Sequence, residues 1–125
     1  MARKRTTTLT DGELRLMNVL WAHGPSTVLE IQDGLEEDLV DSTIRTLLRI
    51  LEDKGYVKRR KEGRAFRYHP LVGREETRAS VLDQLTRRFF HSPGELVLSL
   101  LNRGELDEAE LARIRRALDA HREGH

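Results

Sequence analysis

The chain has 125 residues, of which 38% are hydrophobic and 34% are charged, and its formal net charge at pH 7 is +1. This length suits one compact domain or a small domain with an appended helical segment, and the composition favours a folded soluble protein over a disordered one. The chain has no cysteine, which excludes disulfides, thiolate zinc sites, iron–sulfur clusters and cysteine nucleophiles.

The first ten residues are basic at Arg3, Lys4 and Arg5 but have no apolar stretch behind them. They therefore do not form a secretory signal, and no later run is long enough to span a bilayer. We expect a cytoplasmic protein without membrane insertion. The three basic residues could reach a DNA minor groove as an arm, although a solvated terminus is the simpler interpretation.

Two helices are predicted from caps and apolar stripes in the next part of the chain. Thr10 and Glu13 have the spacing of a capping box, and Gly24-Pro25 ends the helix that begins there. Ser26 or Thr27 can cap a second, short helix. The expected core positions of the two helices are Leu14, Met17, Leu20, Trp21, Val28, Ile31 and Leu35. We expect Trp21 to be a core anchor against the third helix.

A third helix is predicted from Asp41 to Lys54, with Gly55 as its C-cap. Its apolar residues have the i, i+3, i+4, i+7 spacing of an amphipathic helix and are Ile44, Leu47, Leu48 and Leu51. Two short runs around Glu62-Gly63 then predict a β-hairpin that Pro70 closes. This order of elements is typical of a winged helix-turn-helix domain, here residues 1–72, although a generic small α+β domain has the same order.

Residues 73–125 are predicted to form three further helices, of which the middle one is apolar nearly all round. Such a helix must be covered on more than one side, and a second copy of the chain would cover it in a symmetric dimer. The expected dimer-interface residues are Val81, Leu85, Phe89, Leu96, Val97, Leu100, Leu101, Leu111, Ile114 and Leu118. The predicted fold class is mainly α with a small β-hairpin: a winged helix-turn-helix domain plus a C-terminal three-helix dimerisation segment.

Positive charge is concentrated in one segment of a nearly neutral chain. Between Ser42 and His69 there are nine lysines and arginines but three acidic residues. Because the core stripe fixes the outward face of the third helix, we expect that helix to enter a groove of double-stranded DNA and the basic hairpin to bind phosphates. The expected DNA-binding residues are Ser42, Thr43, Arg45, Thr46 and Arg49 on the helix, and Lys58, Arg59, Arg60, Lys61, Arg64 and Arg67 on the hairpin.

Three other interpretations can be compared with this one. Lysines and arginines also blunt exposed sheet edges in proteins that bind no nucleic acid. A winged helix can serve as a protein–protein interaction module, but a face of hydroxyls and arginines suits a groove better than a flat protein surface. RNA is a weaker alternative, because no aromatic platform for stacking bases is expected.

An enzymatic or metal-dependent function is not indicated. The five histidines fall at the ends of elements or in the tail, and no two of them are placed at i, i+4 on a predicted helix. No nucleophile–base arrangement, phosphate-binding glycine loop or metalloprotease motif is present. We therefore expect no catalytic residue, no metal and no cofactor.

Several of these segments together resemble the penicillinase and methicillin-resistance repressor family, BlaI/MecI. The most specific parts are Thr-Ile-x-Thr-Leu-Leu-x-x-Leu in the third helix, at residues 43–51, and Gly-Arg-x-Phe-x-Tyr in the hairpin, at residues 63–68. The resemblance extends over nearly the whole chain, from Leu9-Thr10-Asp11-Gly12-Glu13-Leu14 onward.

The resemblance implies a winged-helix repressor that binds palindromic operators as a homodimer joined through its C-terminal helices. It also implies a membrane-bound sensor metalloprotease as partner, with induction by proteolysis near Ser99-Leu100. A copper-responsive branch of the family has a cysteine cluster, which this chain lacks.

Overall fold

The computed structural model describes residues 9–124, so Arg3, Lys4 and Arg5 lie outside the described residues. Along this part of the chain the elements are α1 (Asp11–His23), β1 (Ser26–Thr27), α2 (Val28–Gly34), α3 (Asp41–Lys54), β2 (Val57–Glu62), β3 (Ala65–Pro70), α4 (Arg74–Phe89), α5 (Pro93–Asn102) and α6 (Glu108–Glu123). The predicted fold class, mainly α with a small sheet, is confirmed. Within residues 9–124, no helix combines the length and the apolar character needed to cross a membrane.

The chain divides into two compact units, and the division falls inside α4, between Gln84 and Leu85. The N-terminal unit contains α1 to α3, the sheet and the first turns of α4. The C-terminal unit contains the end of α4 with α5 and α6. The predicted division into a DNA-binding domain, residues 1–72, and a dimerisation region, residues 73–125, stays a prediction.

Both short helices at the start of the N-terminal unit begin with capping boxes. The Thr10 hydroxyl accepts from the Glu13 N–H at 3.2 Å, and the Glu13 carboxylate accepts from the Thr10 N–H at 3.1 Å. Thr27 and Glu30 repeat this arrangement at α2. These reciprocal bonds satisfy N–H groups that have no partner inside the helix, which fixes where each helix starts.

The buried face of α1 differs from the predicted stripe. Leu14 is 39% exposed, whereas Leu16 and Val19 are buried beside the expected Met17 and Leu20. Because α1 packs against α2, α3 and β3, the face that it buries is centred on Leu16, Met17, Val19 and Leu20. The prediction for Leu14 was wrong, because Leu14 lies at the edge of that face and lines an open cleft with Trp21 and Val81.

Trp21 packs against the core, and its indole Nε1 donates to the carbonyl oxygen of Val72 at 2.8 Å. This anchoring bond ties α1 to the segment that follows β3. The sequence prediction had named the third helix as the partner of Trp21, and a contact across 51 positions leaves no local signal from which to find it.

The third helix agrees closely with the prediction. Ile44, Leu48 and Leu51 are fully buried, and Gly55 ends the helix in the left-handed conformation with φ of 87°. Because glycine adopts positive φ without steric cost, the chain can turn there at once into the hairpin. The next residue, Tyr56, is buried and donates its N–H to the Leu51 carbonyl at 2.9 Å, so two residues connect α3 to β2.

The sheet has three antiparallel strands in the order β1-β3-β2. Glu62 pairs with Ala65, which leaves Gly63 and Arg64 as a two-residue loop, and Gly63 supplies the positive φ of 62° that a type II′ turn needs at its first central position. The hairpin is the predicted wing. The pairing of β1 with β3, Ser26 opposite Tyr68, was not predicted, because two residues carry no periodicity.

The C-terminal unit is built from capped helices with little core. The Ser92 hydroxyl accepts from the Glu95 N–H at the start of α5, and Asp107 with Glu110 forms a capping box at α6. Neither α5 nor α6 has a buried residue. Caps therefore define these helices, and a single copy of the chain does not bury their apolar faces.

Candidate nucleic-acid interface

The outward face of α3 carries the residues predicted to meet DNA. Four of them recur at i, i+3, i+4 and i+7 and form one exposed stripe, which we call the reading stripe: Ser42, Arg45, Thr46 and Arg49. Thr43 is exposed beside it. The stripe lies opposite Ile44, Leu48 and Leu51, whose complete burial fixes the rotation of the helix.

Two members of the reading stripe make bonds within the helix. The Arg45 Nε donates to both oxygens of the Asp41 carboxylate, at 3.2 and 3.1 Å. The Thr46 hydroxyl donates to the Ser42 carbonyl oxygen at 2.9 Å. The hydroxyl hydrogen of Thr46 is therefore used inside the protein, whereas its methyl group and its lone pairs are available to a ligand.

An ion pair ties the far end of α3 to the start of α1. The Lys54 Nζ lies 2.6 Å from Glu13 Oε1, and the side chain of Glu13 is only 3% exposed. Burial alone would raise the pKa of the Glu13 carboxyl, but the hydrogen bonds and charge of Lys54 and the hydrogen bonds of Thr10 outweigh it, so the pKa is lowered from 4.5. A charged carboxylate thus holds the C-terminal turn of α3 against the body of the domain.

The wing is cationic on both faces of its hairpin. Because side chains alternate along a strand, Lys58 and Arg60 share one face of β2, whereas Arg59 and Lys61 share the face of Val57. All four basic side chains are exposed, as is Arg64 in the turn. The Arg59 guanidinium lies over the Phe66 ring at 4.6 Å and within 3.8 Å of Glu52 of α3, so it also joins the wing to the helix.

Arg67 differs from the other predicted phosphate ligands because its guanidinium is already bound within the protein. Nε and Nη2 donate to the two oxygens of Glu62, at 2.8 and 3.0 Å, and Nη1 donates to Glu30 at 2.8 Å and to the Pro25 carbonyl at 3.1 Å. The hydrogen bonds from Arg67 lower the pKa of Glu62, and at Glu30 the backbone bond from Thr27 lowers the pKa together with Arg67. Arg67 therefore connects the wing to the start of α2.

The predicted dimer residues are mostly uncovered in the single chain. Leu96, Leu101 and Ile114 are partly buried, and the others are exposed. A groove of about 550 Å³ between α5 and α6 is lined by five of the predicted residues, namely Val97, Leu100, Leu101, Ile114 and Leu118. Val81 lies elsewhere, in a cleft of the N-terminal unit with Leu14 and Trp21.

The remaining predictions concern chemistry rather than surfaces. Ser99 and Leu100, the predicted cleavage position, lie inside α5, and both are exposed. Among the residues that the structure describes, no group of three or more histidine or acidic side chains is arranged to hold a metal ion.

Comparisons of the sequence and of the structure with known proteins point to the same family. The family model described as Penicillinase repressor matches residues 9–120. The Methicillin resistance regulatory protein MecI of Staphylococcus aureus (strain N315) is 28% identical over 123 residues, which cover 92% of this chain and 96% of that protein. The Transcriptional regulator BlaI of Mycobacterium tuberculosis (strain CDC 1551 / Oshkosh) is 32% identical over 126 residues, which cover 97% and 90%. The solution structure of the DNA binding domain of the repressor BlaI is similar with a TM-score of 0.53 and 32% identity, covering 59% of this chain and 93% of that one.

Proposed function

The chain belongs to the penicillinase repressor family, and from that premise we propose that it represses transcription as a homodimer bound to a palindromic operator in double-stranded DNA. Relatives of the chain are named as a regulatory protein, a penicillinase repressor and a transcriptional regulator, and one structural neighbour is the DNA-binding domain of a repressor. The chain is accordingly a DNA-binding transcriptional repressor with a winged helix. The homodimer, the palindrome and the residues in contact with DNA are the finer parts of the proposal.

One observation carries the assignment of the DNA-binding surface: the exposed reading stripe lies on a helix that two residues connect to a cationic wing. Arginine can donate two hydrogen bonds to guanine, and threonine can contact the methyl group of thymine, so the stripe suits the major groove. The exposed wing cations at 58–61 and 64 suit phosphates, which supply affinity and its salt dependence without reading sequence. Arg67 supports the wing from within, and its neighbours make the phosphate contacts.

The homodimer rests on the apolar surface of the C-terminal unit. Exposed side chains such as Leu118, at 58%, and Phe89, at 73%, are costly in water, because each large apolar side chain gains about 1.5–3 kcal/mol when it is buried. A second copy would present the same residues to this surface, so the apolar side chains of both copies would be buried at once. In such a dimer the two α3 helices would read half-sites about one helical turn, or about 34 Å, apart.

Residues 1–72 then serve as the DNA-binding domain and residues 73–125 as the dimerisation region of a cytoplasmic protein. Release from DNA by a membrane-bound sensor metalloprotease would follow from cutting near Ser99-Leu100. Because a protease binds its substrate in an extended form, α5 would have to unwind locally before the cut. A cut there separates α6 from the rest of the dimerisation region.

The experiment that tests the function is fluorescence anisotropy of a duplex from the region upstream of the coding sequence, compared with a shuffled duplex at several salt concentrations. Tight, salt-sensitive binding that prefers the upstream duplex, with two chains per duplex by mass measurement, is the expected result. Equal weak binding to both duplexes would favour a winged-helix module for protein–protein contact.

A further inference from the structure

The Asp41–Arg45 pair sets one arginine of the reading stripe apart from the other. Arg45 shares its Nε–H with both carboxylate oxygens of Asp41, four residues earlier on the same face. Within residues 9–124, its Nη1 and Nη2 groups make no further hydrogen bond, and the side chain is 59% exposed. Arg49 lies one turn further along α3 and has no carboxylate partner among residues 9–124.

This arrangement leaves the two Nη groups of Arg45 available as donors for guanine recognition. Guanine presents two acceptors, O6 and N7, in the major groove, and an arginine satisfies both only when its guanidinium fork is held in the base plane. A free arginine can adopt many rotamers, and ordering it costs about 2 kcal/mol of side-chain entropy. A carboxylate that holds Nε removes part of that cost before DNA arrives, and it leaves the Nη groups available to the base.

The charge of Asp41 also opposes the competing use of Arg45. Phosphates attract a lone arginine wherever it can reach them, whatever the base sequence. An arginine paired with aspartate carries little net charge, so it gains less from a phosphate, and the nearby carboxylate is itself repelled by the backbone. The pair therefore lowers the affinity of Arg45 for phosphates and favours its use in discrimination between bases.

We propose that Asp41 is a positioning residue that determines specificity: it holds Arg45 for a guanine in each half-site and keeps it away from phosphates. This inference rests on the proposed function, because it needs sequence-specific binding in the major groove. It predicts that base preference and affinity for random DNA respond differently to the loss of Asp41. Loss of Asp41 weakens the preference for one guanine and at the same time preserves or increases affinity for random DNA.

The test begins with selection of the operator by the full wild-type chain, from a pool of duplexes with a random core of about 20 base pairs, or two helical turns. Anisotropy titrations then compare the enriched duplex, its single-base variants and the unselected pool. The Arg45→Ala variant identifies the guanine, as the position where replacement of the base no longer matters. The wild type should prefer that guanine by about 5- to 150-fold.

Asp41→Ala should lower this preference at least severalfold at that position alone, with unchanged or tighter binding to the unselected pool. Asp38→Ala is the matched control, since it removes an exposed acidic side chain of the loop before α3 that does not contact Arg45. Because Asp38→Ala removes a negative charge, it should increase affinity for the unselected pool and leave the guanine preference intact. Replacing the guanine by 7-deazaguanine, which lacks the N7 acceptor, should abolish the difference between the wild type and Asp41→Ala.

Three results would overturn the inference: an intact guanine preference in Asp41→Ala, an equal loss of affinity of that variant for enriched and unselected DNA, or the absence of any guanine whose preference is lost in Arg45→Ala. An equal loss of affinity for both kinds of DNA would indicate that Asp41 stabilises α3. A lowered melting temperature of Asp41→Asn would reveal such a structural role independently. A wild-type chain that enriches no sequence would instead overturn the proposed function, and this inference with it.

Discussion

Arg45 and Arg60 are both exposed arginines of the proposed interface, but their surroundings differ. Arg45 lies among hydroxyls on a helix and is held by a carboxylate. Arg60 shares its face of β2 with Lys58, and the charge of its cross-strand neighbour Arg67 is neutralised by Glu62 and Glu30. A concentration of positive charge without orienting bonds suits phosphates rather than base edges.

Alanine variants should separate these two uses of arginine. Arg45→Ala is expected to lower affinity mainly for the enriched duplex, whereas Arg60→Ala should weaken binding to all duplexes and reduce the slope of log affinity against log salt by about one. Titrations of both variants on enriched and random duplexes at several salt concentrations measure this. Equal losses on both duplexes for both variants would contradict the division of labour.

Glu13 predicts a specific dependence of stability on pH. Because its pKa in the folded protein is lowered below 4.5, the stability that it contributes is fully present above that value and is lost as the pH falls through the lowered pKa. Glu13→Gln should cost about 1.5–3 kcal/mol at neutral pH, since a neutral amide cannot replace the charge of the largely buried carboxylate that pairs with Lys54. The difference from the wild type should shrink as the pH falls below 4.5 and the Glu13 carboxylate becomes protonated.

Urea unfolding at a fixed protein concentration, near neutral pH and in acid, measures this difference. Glu110→Gln is the control, because Glu110 has the same place in a capping box but is exposed and has no lysine partner in the structure described. A difference between Glu13→Gln and the wild type that is as large in acid as at neutral pH would assign the effect to packing rather than to charge.

At the level of secondary-structure elements, Arg67 joins three pieces that are far apart in sequence: the end of β2, the start of α2 and the Pro25 carbonyl. We expect Arg67→Ala to increase hydrogen exchange at the wing amides and to weaken binding to all DNA. Arg67→Lys should rescue little of this, because one ammonium cannot replace a planar fork that bridges two carboxylates.

Hydrogen exchange of Arg67→Ala and of Arg60→Ala, compared with the wild type, tests that role. The Arg60 variant should weaken DNA binding and leave wing exchange unchanged, since its side chain is exposed on the strand. If exchange in the wing is unchanged in Arg67→Ala while DNA binding falls, Arg67 is a direct phosphate ligand, as the sequence prediction had it.

The sequence is most informative where an element is defined by local signals. Spacing of Ile44, Leu48 and Leu51 and a glycine cap were enough to predict α3 with its limits, and the hairpin turn followed from Gly63. Because the outward face of a helix follows from its buried face, the reading stripe could be predicted as well. The same argument was less accurate for α1, which packs against several elements and leaves Leu14 exposed.

What the sequence did not indicate depends on contacts between distant residues. Arg67 had the same appearance as its basic neighbours, and its partner Glu30 lies 37 positions away. The strand β1 exists only because β3 is beside it. Such contacts are set by the tertiary fold, and no periodicity or capping pattern in the sequence predicts them.

At the level of the whole molecule, the exposed leucines of the C-terminal unit predict a dimer that a single charge can disrupt. Leu100, which lines the groove between α5 and α6, is 51% exposed in the single chain. Leu100→Asp should convert the dimer to monomer and weaken operator binding. Loss of about 2 kcal/mol at each of two symmetry-related leucines corresponds to roughly a thousandfold weaker association.

Light scattering over a range of concentrations measures the mass of this variant. The control is Leu29→Asp, since Leu29 is an equally large and more exposed leucine of the N-terminal unit. That variant should remain a dimer. A Leu100→Asp chain that keeps the dimer mass would remove Leu100 from the interface.

The two-residue connection between α3 and the wing has a consequence for how such repressors acquire new target sites. With Gly55 at a left-handed turn and Tyr56 buried, α3 and the wing are closely linked, so in the proposed complex they should not move along the duplex independently of each other. We therefore expect new sequence preferences to arise by exchange of single exposed side chains on a fixed frame. We expect divergent members of the lineage to keep the same footprint on DNA while the bases inside it change.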